Sequence, residues 1–392
     1  MLAENTPRVF KSNEVVTRQE VSEILLKAEK TKRSIVIVEG DRGAGKTYTL
    51  LSIYLNYLQK KKFKPFFIGL FPYEAPELIK EDSIWLSPEK KFTTADIPDL
   101  LRKITTYLGI EFVESLDPEN QREYLAKRLA GLETGFRPII LLDSIYESDE
   151  SVRKQIEKDI LSPLLASSQV TIILSGRGKR PIWIAPEFRD AEYVKLQSVD
   201  EQFVLSQLQK MNSKNEGEYK QIMQWSAGCP LVVRLLGEAE QVTIDKLSEA
   251  IDILIEDPLL EKGANGSNYT EVRETIQKLA LIRGPFRELD VVYYLYGDNL
   301  DGRSRINKLV KLLLASHLME WDDIGERRGY KVNETITRTL RIWLKENPAL
   351  LKKYQVDWED AVNRLTIAYP SVNRDEYLDR ISYNNIVASV AK

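Results

Sequence analysis

The sequence predicts an α/β domain with a parallel sheet covered by helices on both faces, then a mostly helical region, then three helices closed by a β-hairpin. Three observations carry this. Short β-branched runs alternate with helically spaced apolar residues over the first 190 residues, the pattern of a parallel sheet buried on both sides. After residue 190 the texture changes and helical spacing dominates to residue 260. Near the C-terminus, two short strand-like segments flank a polar turn and follow three helical segments.

The elements follow in order. Residues 16–30 place Val21, Ile24, Leu25 and Ala28 at helical spacing. Residues 34–38 (Ser-Ile-Val-Ile-Val) read as a buried strand that ends at Gly40, and Leu50, Leu51, Tyr54, Tyr57 and Leu58 then mark a helix. Residues 64–70, 138–143 and 170–174 are further strands, with helical patterns between 72 and 136 broken at Pro76, Pro88, Pro98 and Pro118. Residues 199–260 are mostly helical, and 261–268 reads as a loop and a domain boundary. Helices at 271–281, 288–296 and 304–316 precede hairpin strands at 318–321 and 329–332, and a helix over about 335–344 follows. That order is the order of a winged-helix domain. The tail is helical over 358–367 and then loses pattern; no internal repeat or low-complexity tract is present.

Composition excludes several chemistries. One cysteine (Cys229) and one histidine (His317) rule out an intramolecular disulfide framework and leave too few ligands for a Cys/His zinc site. A Ser-His-Asp or Cys-His mechanism would have to run through His317 alone. Lys and Arg total 56 against 59 Asp and Glu, a net charge of −3, which argues against wholesale nucleic-acid coating but leaves room for a local basic patch. No apolar run approaches the ~20 residues of a membrane span, and the N-terminus lacks the apolar core of a secretory signal. A single cysteine fits a reducing, cytoplasmic setting.

Gly40-Asp41-Arg42-Gly43-Ala44-Gly45-Lys46-Thr47 fits G-x-x-x-x-G-K-[ST] at every fixed position, between a strand and a helix. Glycines let backbone N–H groups surround phosphate oxygens, and the helix N-terminus adds positive potential. Lys46 is expected to reach the β- and γ-phosphates of ATP, or the β-phosphate of ADP, and Thr47 to place its hydroxyl on Mg²⁺. Gly40, Gly43, Ala44, Gly45, Lys46, Thr47 and Tyr48 form the expected nucleotide-binding segment. The metal also needs a carboxylate, expected at the end of a buried strand beside the phosphate-loop strand. Asp143 fits; its alternative is a helix cap ahead of the acidic stretch 147–150. Ser144 stands where many ATPases carry a second carboxylate, so either hydrolysis is slow or Glu147 or another acid substitutes. Arg177, after the strand at 170–174, could touch the γ-phosphate, with Arg180 competing and an ordinary solvated arginine as the alternative.

The succession of motifs resembles the STAND class of AAA+-related P-loop ATPases, and within it the NB-ARC type. Thr17-Arg18 looks like the family's motif beside the adenine, Asp143 ends a Walker B-like strand, and Arg177 looks like the sensor arginine. Residues 193–208 are similar to the segment leading into the helical lid. Gly228-Cys229-Pro230-Leu231 looks like the G-x-P-L motif, whose Pro230 is implied to pack near adenine and ribose. Val332-Asn333-Glu334 falls where the family often carries Met-His-Asp, which implies a nucleotide contact for Asn333. The resemblance covers roughly residues 10–345. It departs at Ser144, at Asn333 and at Thr17, where a Gly is common.

The resemblance implies four parts: a nucleotide-binding domain at 1–190, a helical lid at 191–265, a winged helix at 266–346 and a helical tail at 347–392. It implies a signal-transduction ATPase, a slow hydrolase whose winged helix closes over ADP and whose ATP state meets a protein partner or a second copy. The chain is then either the switch core of a longer protein or a compact member acting on a separate partner. A DNA-binding AAA+-type ATPase is the alternative, because the third winged-domain helix carries Arg303, Arg305, Lys308 and Lys311. Other features have plainer readings. The run Lys60-Lys61-Lys62-Phe63-Lys64 suits a helix C-terminus, with a phosphate-backbone patch as the alternative. His317 reads as structural rather than catalytic, Cys229 as a packed residue, and Tyr293, Tyr294 and Tyr296 as core, with an interaction surface as the lesser reading.

Overall fold

The computed structural model describes residues 15–30, 34–70, 83–85, 92–130, 136–166, 169–178, 180–261, 266–297, 301–322 and 328–381. The chain groups into two compact units. One comprises residues up to Gly40 together with Gly45–Gln197; the other comprises Asp41–Ala44 together with Ser198–Lys392.

The first unit is a six-stranded sheet of strands β1 (Ser34–Glu39), β2 (Phe63–Gly69), β3 (Ser83–Trp85), β4 (Arg137–Asp143), β5 (Thr171–Gly176) and β6 (Glu192–Lys195), in the order β3-β2-β4-β5-β1-β6. Every pairing is parallel. Its helices are α1 (Gln19–Glu29), α2 (Lys46–Leu58), α3 (Ile97–Tyr107), α4 (Pro118–Ala130), α5 (Glu150–Ile156) and α6 (Ser162–Ala166). Alternation along the strands explains why both faces are covered. Ile35, Ile37, Phe66, Ile68, Ile140, Leu142, Ile172 and Leu174 share one core with Leu100 and Ile104 of α3 and with Leu161, Leu164 and Leu165. The alternate residues Val36, Val38, Phe67, Ile139, Leu141 and Ile173 are equally buried. On that face Tyr54 of α2 meets Phe67 edge to face.

Two strands escape the sequence reading. β3 has three residues, and β6 (Glu-Tyr-Val-Lys) is an edge strand with little apolar signal, whose residues read instead as the approach to the helical region. The strand order also corrects one expectation. The strand ending in Asp143 does not lie beside β1; β5 lies between them.

The second unit holds α7 (Glu201–Lys210), α8 (Tyr219–Ser226), α9 (Pro230–Glu238), α10 (Ile244–Glu261), α11 (Gly266–Leu279), α12 (Glu288–Tyr296), α13 (Asp301–Ala315), hairpin β7 (Met319–Asp322) and β8 (Gly329–Val332), α14 (Glu334–Lys345), α15 (Pro348–Ala368) and α16 (Arg374–Asp379). The hairpin is antiparallel, and Phe286 adds a bridge to Tyr330. The expected loop at 261–268 is shorter, since Glu261 ends α10 and α11 begins at Gly266. Gly266, Ser267 and Asn268 suit a first helical turn, whose N–H groups have no intrahelical partners. The tail is more helical than its sequence suggests. α15 starts on Pro348 and buries Leu351, Tyr354, Trp358, Ala361, Val362 and Leu365, a stripe at helical spacing. The polar turn of the hairpin, residues 323–327, lies outside the described residues.

Candidate functional site

β1 ends at Glu39, and the chain turns through Gly40 to reach α2. Gly45 caps α2 with a left-handed backbone (φ 84°), and Gly43 is also left-handed (φ 78°), conformations a side chain would strain. The backbone N–H groups that open α2 therefore belong to Lys46 and the residues after it, at the positive end of a 13-residue helix. Lys46 is buried at 9% exposure and its Nζ donates to the Gly40 carbonyl at 2.9 Å. Thr47 Oγ1 donates to Asp143 Oδ2 at 2.6 Å.

This last contact spans the intervening strand. α2 packs across β2, β4 and β5, so its first turn can bring Thr47 over the C-terminal end of β5 to Asp143. Ser175 of β5 closes the gap. Its hydroxyl donates to Asp143 Oδ1 and accepts from the Ser144 N–H at 3.0 Å. Asp143 is 1% exposed. Burial raises its carboxyl above the ordinary range, and the Ser175 and Thr47 hydroxyls, the Lys46 charge and the Ser144 N–H offset part of that. A carboxylate oxygen and a threonine hydroxyl are hard donors of the kind Mg²⁺ takes, with phosphate oxygens and water filling its other positions. Among the described residues no three His, Cys, Asp or Glu side chains gather to hold a metal by themselves.

Beyond Asp143 the chain makes a strained turn. Ser144 is left-handed (φ 64°) without being glycine. The Ile145 N–H donates to the Ser175 carbonyl at 3.0 Å, and the Tyr146 ring packs on Gly176, where an added Cβ would lie 2.2 Å from Tyr146 Cγ. The Tyr146 hydroxyl donates to Glu39 Oε1 at 3.1 Å and is pushed up by burial and by that carboxylate. Glu147 follows, its side chain largely buried, with Oε1 3.5 Å from Arg177 Nε. Burial raises Glu147 as well, while Lys46 and Arg177 pull it down and Asp143 pushes it up. Arg180, the competitor of Arg177, is engaged elsewhere. It holds Glu39 with two hydrogen bonds of 2.7 Å and lies over the Tyr193 ring.

The other expected residues divide between the units. Arg18, 4% exposed, precedes α1; its guanidinium donates to both Glu20 oxygens and to the Gln197 carbonyl, and the Gln197 N–H donates to Glu20 Oε1 at 2.9 Å. Thr17 shares a hydrogen bond with Ser52 of α2, and Tyr48 is half-buried. Gly43, Ala44, Pro230 and Asn333 belong to the second unit. There Pro230 opens α9, the Leu231 N–H donates to the Gly43 carbonyl at 3.2 Å, and a Cβ at Gly43 would lie 2.7 Å from Cys229 Sγ. Asn333 caps α14, its side chain accepting from the Thr335 and Ile336 N–H groups. His317 is a left-handed residue (φ 56°) just beyond α13.

The structure adds Ser175, Glu20, Gln197 and Tyr146 to the expected residues. Ser175 could have been suspected from its place one strand position before Gly176-Arg177. The other three carry no sequence signal separable from ordinary surface or core residues.

No protein-family profile and no curated protein sequence matches the chain. Among solved structures, the chain is similar in outline to Cdc6p from Pyrobaculum aerophilum at 12% identity, covering 84% of this chain and 93% of that one with a TM-score of 0.38. The Aeropyrum pernix ORC2 protein gives 11% identity, 89% and 97% coverage and a TM-score of 0.39. The Thermotoga maritima RuvB Holliday junction branch migration motor gives 15% identity, 82% and 93% coverage and a TM-score of 0.35.

Proposed function

We propose that the chain is an ATP- and ADP-binding P-loop NTPase that hydrolyses ATP slowly and acts as a nucleotide-controlled switch. The observation that carries this is the Thr47–Asp143 contact of 2.6 Å at the N-terminus of α2, beside buried Lys46. The N–H groups of the α2 N-terminus donate to phosphate oxygens. Lys46 leaves the Gly40 carbonyl for the β- and γ-phosphates, and Arg177 supplies a second positive charge there. Thr47 and Asp143 would hold Mg²⁺, whose charge offsets that of the phosphates when it is bound. Arg18, fixed by Glu20 and Gln197, stands beside the base. The switch follows if ATP and ADP favour different conformations, the ATP state recruiting a protein partner or a second copy. Within the second unit we assign 191–265 as a lid, 266–346 as a winged helix and 347–392 as a tail. Nucleotide titration of the wild type and Lys46→Ala tests the reading; undiminished affinity in the variant would remove it.

A second reading has its own support. Arg305, Lys308 and Lys311 of α13 are exposed along the helix that reads DNA in winged-helix binders, while the side chain of Arg303 lies outside the described residues. This reading predicts salt-dependent duplex binding that is lost on changing Arg303 and Arg305. Absence of binding at low salt removes it.

A further inference from the structure

We propose that Glu147 is the carboxylate that orients and deprotonates the water attacking ATP, and that Arg177 holds it in reserve until a γ-phosphate arrives. The proposal rests on the nucleotide-binding reading above and assigns its missing acid.

Four observations converge on Glu147. Its side chain is 6% exposed, yet Oε2 has no hydrogen-bond partner among the described residues. A buried carboxylate oxygen left unmet is costly and calls for a ligand or a water. Its surroundings place it at the working end of the loop, since the charges of Lys46, Arg177 and Asp143 all bear on it. Its backbone is delivered by the strained Ser144 turn, pinned by Ile145 N–H on the Ser175 carbonyl and by Tyr146 seated over Gly176. Finally, Ser144 follows Asp143 directly, and its neutral hydroxyl cannot take a water proton at neutral pH.

These features fit together chemically. Glu147 Oε1 lies 3.5 Å from Arg177 Nε and offsets its charge. A γ-phosphate competes for the guanidinium, and the released carboxylate takes the water. The water oxygen bonds to the γ-phosphorus as the bond from that phosphorus to the β,γ-bridging oxygen breaks. The electron pair leaves with ADP, and the water proton passes to Glu147 and from there to the phosphate or solvent.

The test uses the full chain with Glu147→Gln, read by titration with ADP and with ATPγS and by ATP turnover. Turnover is expected to fall by about 100-fold or more, the usual share of a general base. ATPγS affinity is expected to rise by about tenfold while ADP affinity stays within about twofold, because Arg177 no longer has to leave a carboxylate. Wild-type turnover in the variant overturns the proposal, as does an equal shift for both nucleotides. So does a wild type that binds ATP without turning it over. A wild type that binds neither nucleotide is a different result, the failure of the nucleotide-binding reading itself. Should Glu147→Gln fail to fold, Glu147→Asp keeps the charge on a shorter arm. It is expected to bind ADP normally and lose turnover by about 100-fold, the cost of misplacing a group by an ångström; normal turnover overturns the proposal.

Discussion

Thr47 Oγ1 lies 2.6 Å from Asp143 Oδ2 although β5 separates the strands that lead to them. Ser175 on that middle strand makes the arrangement possible, because it serves Asp143 and the Ser144 N–H together. Ser175→Ala leaves a carboxylate oxygen and an N–H without this buried partner, a loss of about 1–3 kcal/mol. Thermal unfolding is expected to show a clear drop in Tm, and Ser175→Thr is expected to recover part of it. An unchanged Tm in the alanine variant would remove Ser175 from this role.

Gly176 and Tyr146 are expected to be energetically coupled. A Cβ at Gly176 would lie 2.2 Å from Tyr146 Cγ, so Gly176→Ala must push the ring and the turn behind it. Overpacking of this kind costs about 1–3 kcal/mol. In a double-mutant cycle with Tyr146→Ala the combined loss is expected to be smaller than the sum. Strict additivity contradicts the contact.

The Arg18–Glu20–Gln197 cluster predicts a pH signature. Burial would raise the Glu20 carboxyl, but the Arg18 guanidinium and the Gln197 N–H outweigh it and hold it below its ordinary 4.5. A carboxyl lowered by folding stabilises above its unfolded value, and that contribution disappears as pH falls through the folded one. Glu20→Gln is therefore expected to be less stable than the wild type at pH 7, with the difference shrinking as pH falls below 4.5 and through the lowered folded value. A difference that persists unchanged into acid contradicts the assignment. The comparison is best made by denaturant unfolding across pH.

Asn333 is expected to behave as a helix cap. Its side chain accepts from Thr335 and Ile336, so Asn333→Ala should cost about 1 kcal/mol. That corresponds to a Tm lower by about 2–4 °C. Asn333→Asp, an equally good cap, should keep the wild-type Tm. Equal destabilisation by both substitutions would point to a role other than capping.

Much of the sheet is legible in the sequence because its central strands are buried on both faces. Ile35 to Val38 and Ile139 to Leu142 are unbroken apolar runs, and such runs need no knowledge of their neighbours to be recognised. β6 was hidden for the opposite reason: its Glu-Tyr-Val-Lys sequence pairs only with β1, at an edge. Strand order is a tertiary property, so the position of β5 between β1 and β4 could not be read from spacing. The phosphate-loop pattern is legible because glycine, lysine and threonine are needed at fixed positions by geometry alone. Ser175 and the Glu147–Arg177 pair are not, since each acts through a neighbour more than 25 positions away in the chain.

The central claim is that Lys46, Thr47 and Asp143 form a nucleotide site. Isothermal titration of the wild type and Lys46→Ala with ATP and ADP, each with and without Mg²⁺, tests it most directly. The account predicts wild-type binding strengthened by Mg²⁺ and weakened by about tenfold or more in the variant, as expected for losing a desolvated charge contact to phosphate. Equal affinity in the two proteins, or no binding by the wild type, would contradict it.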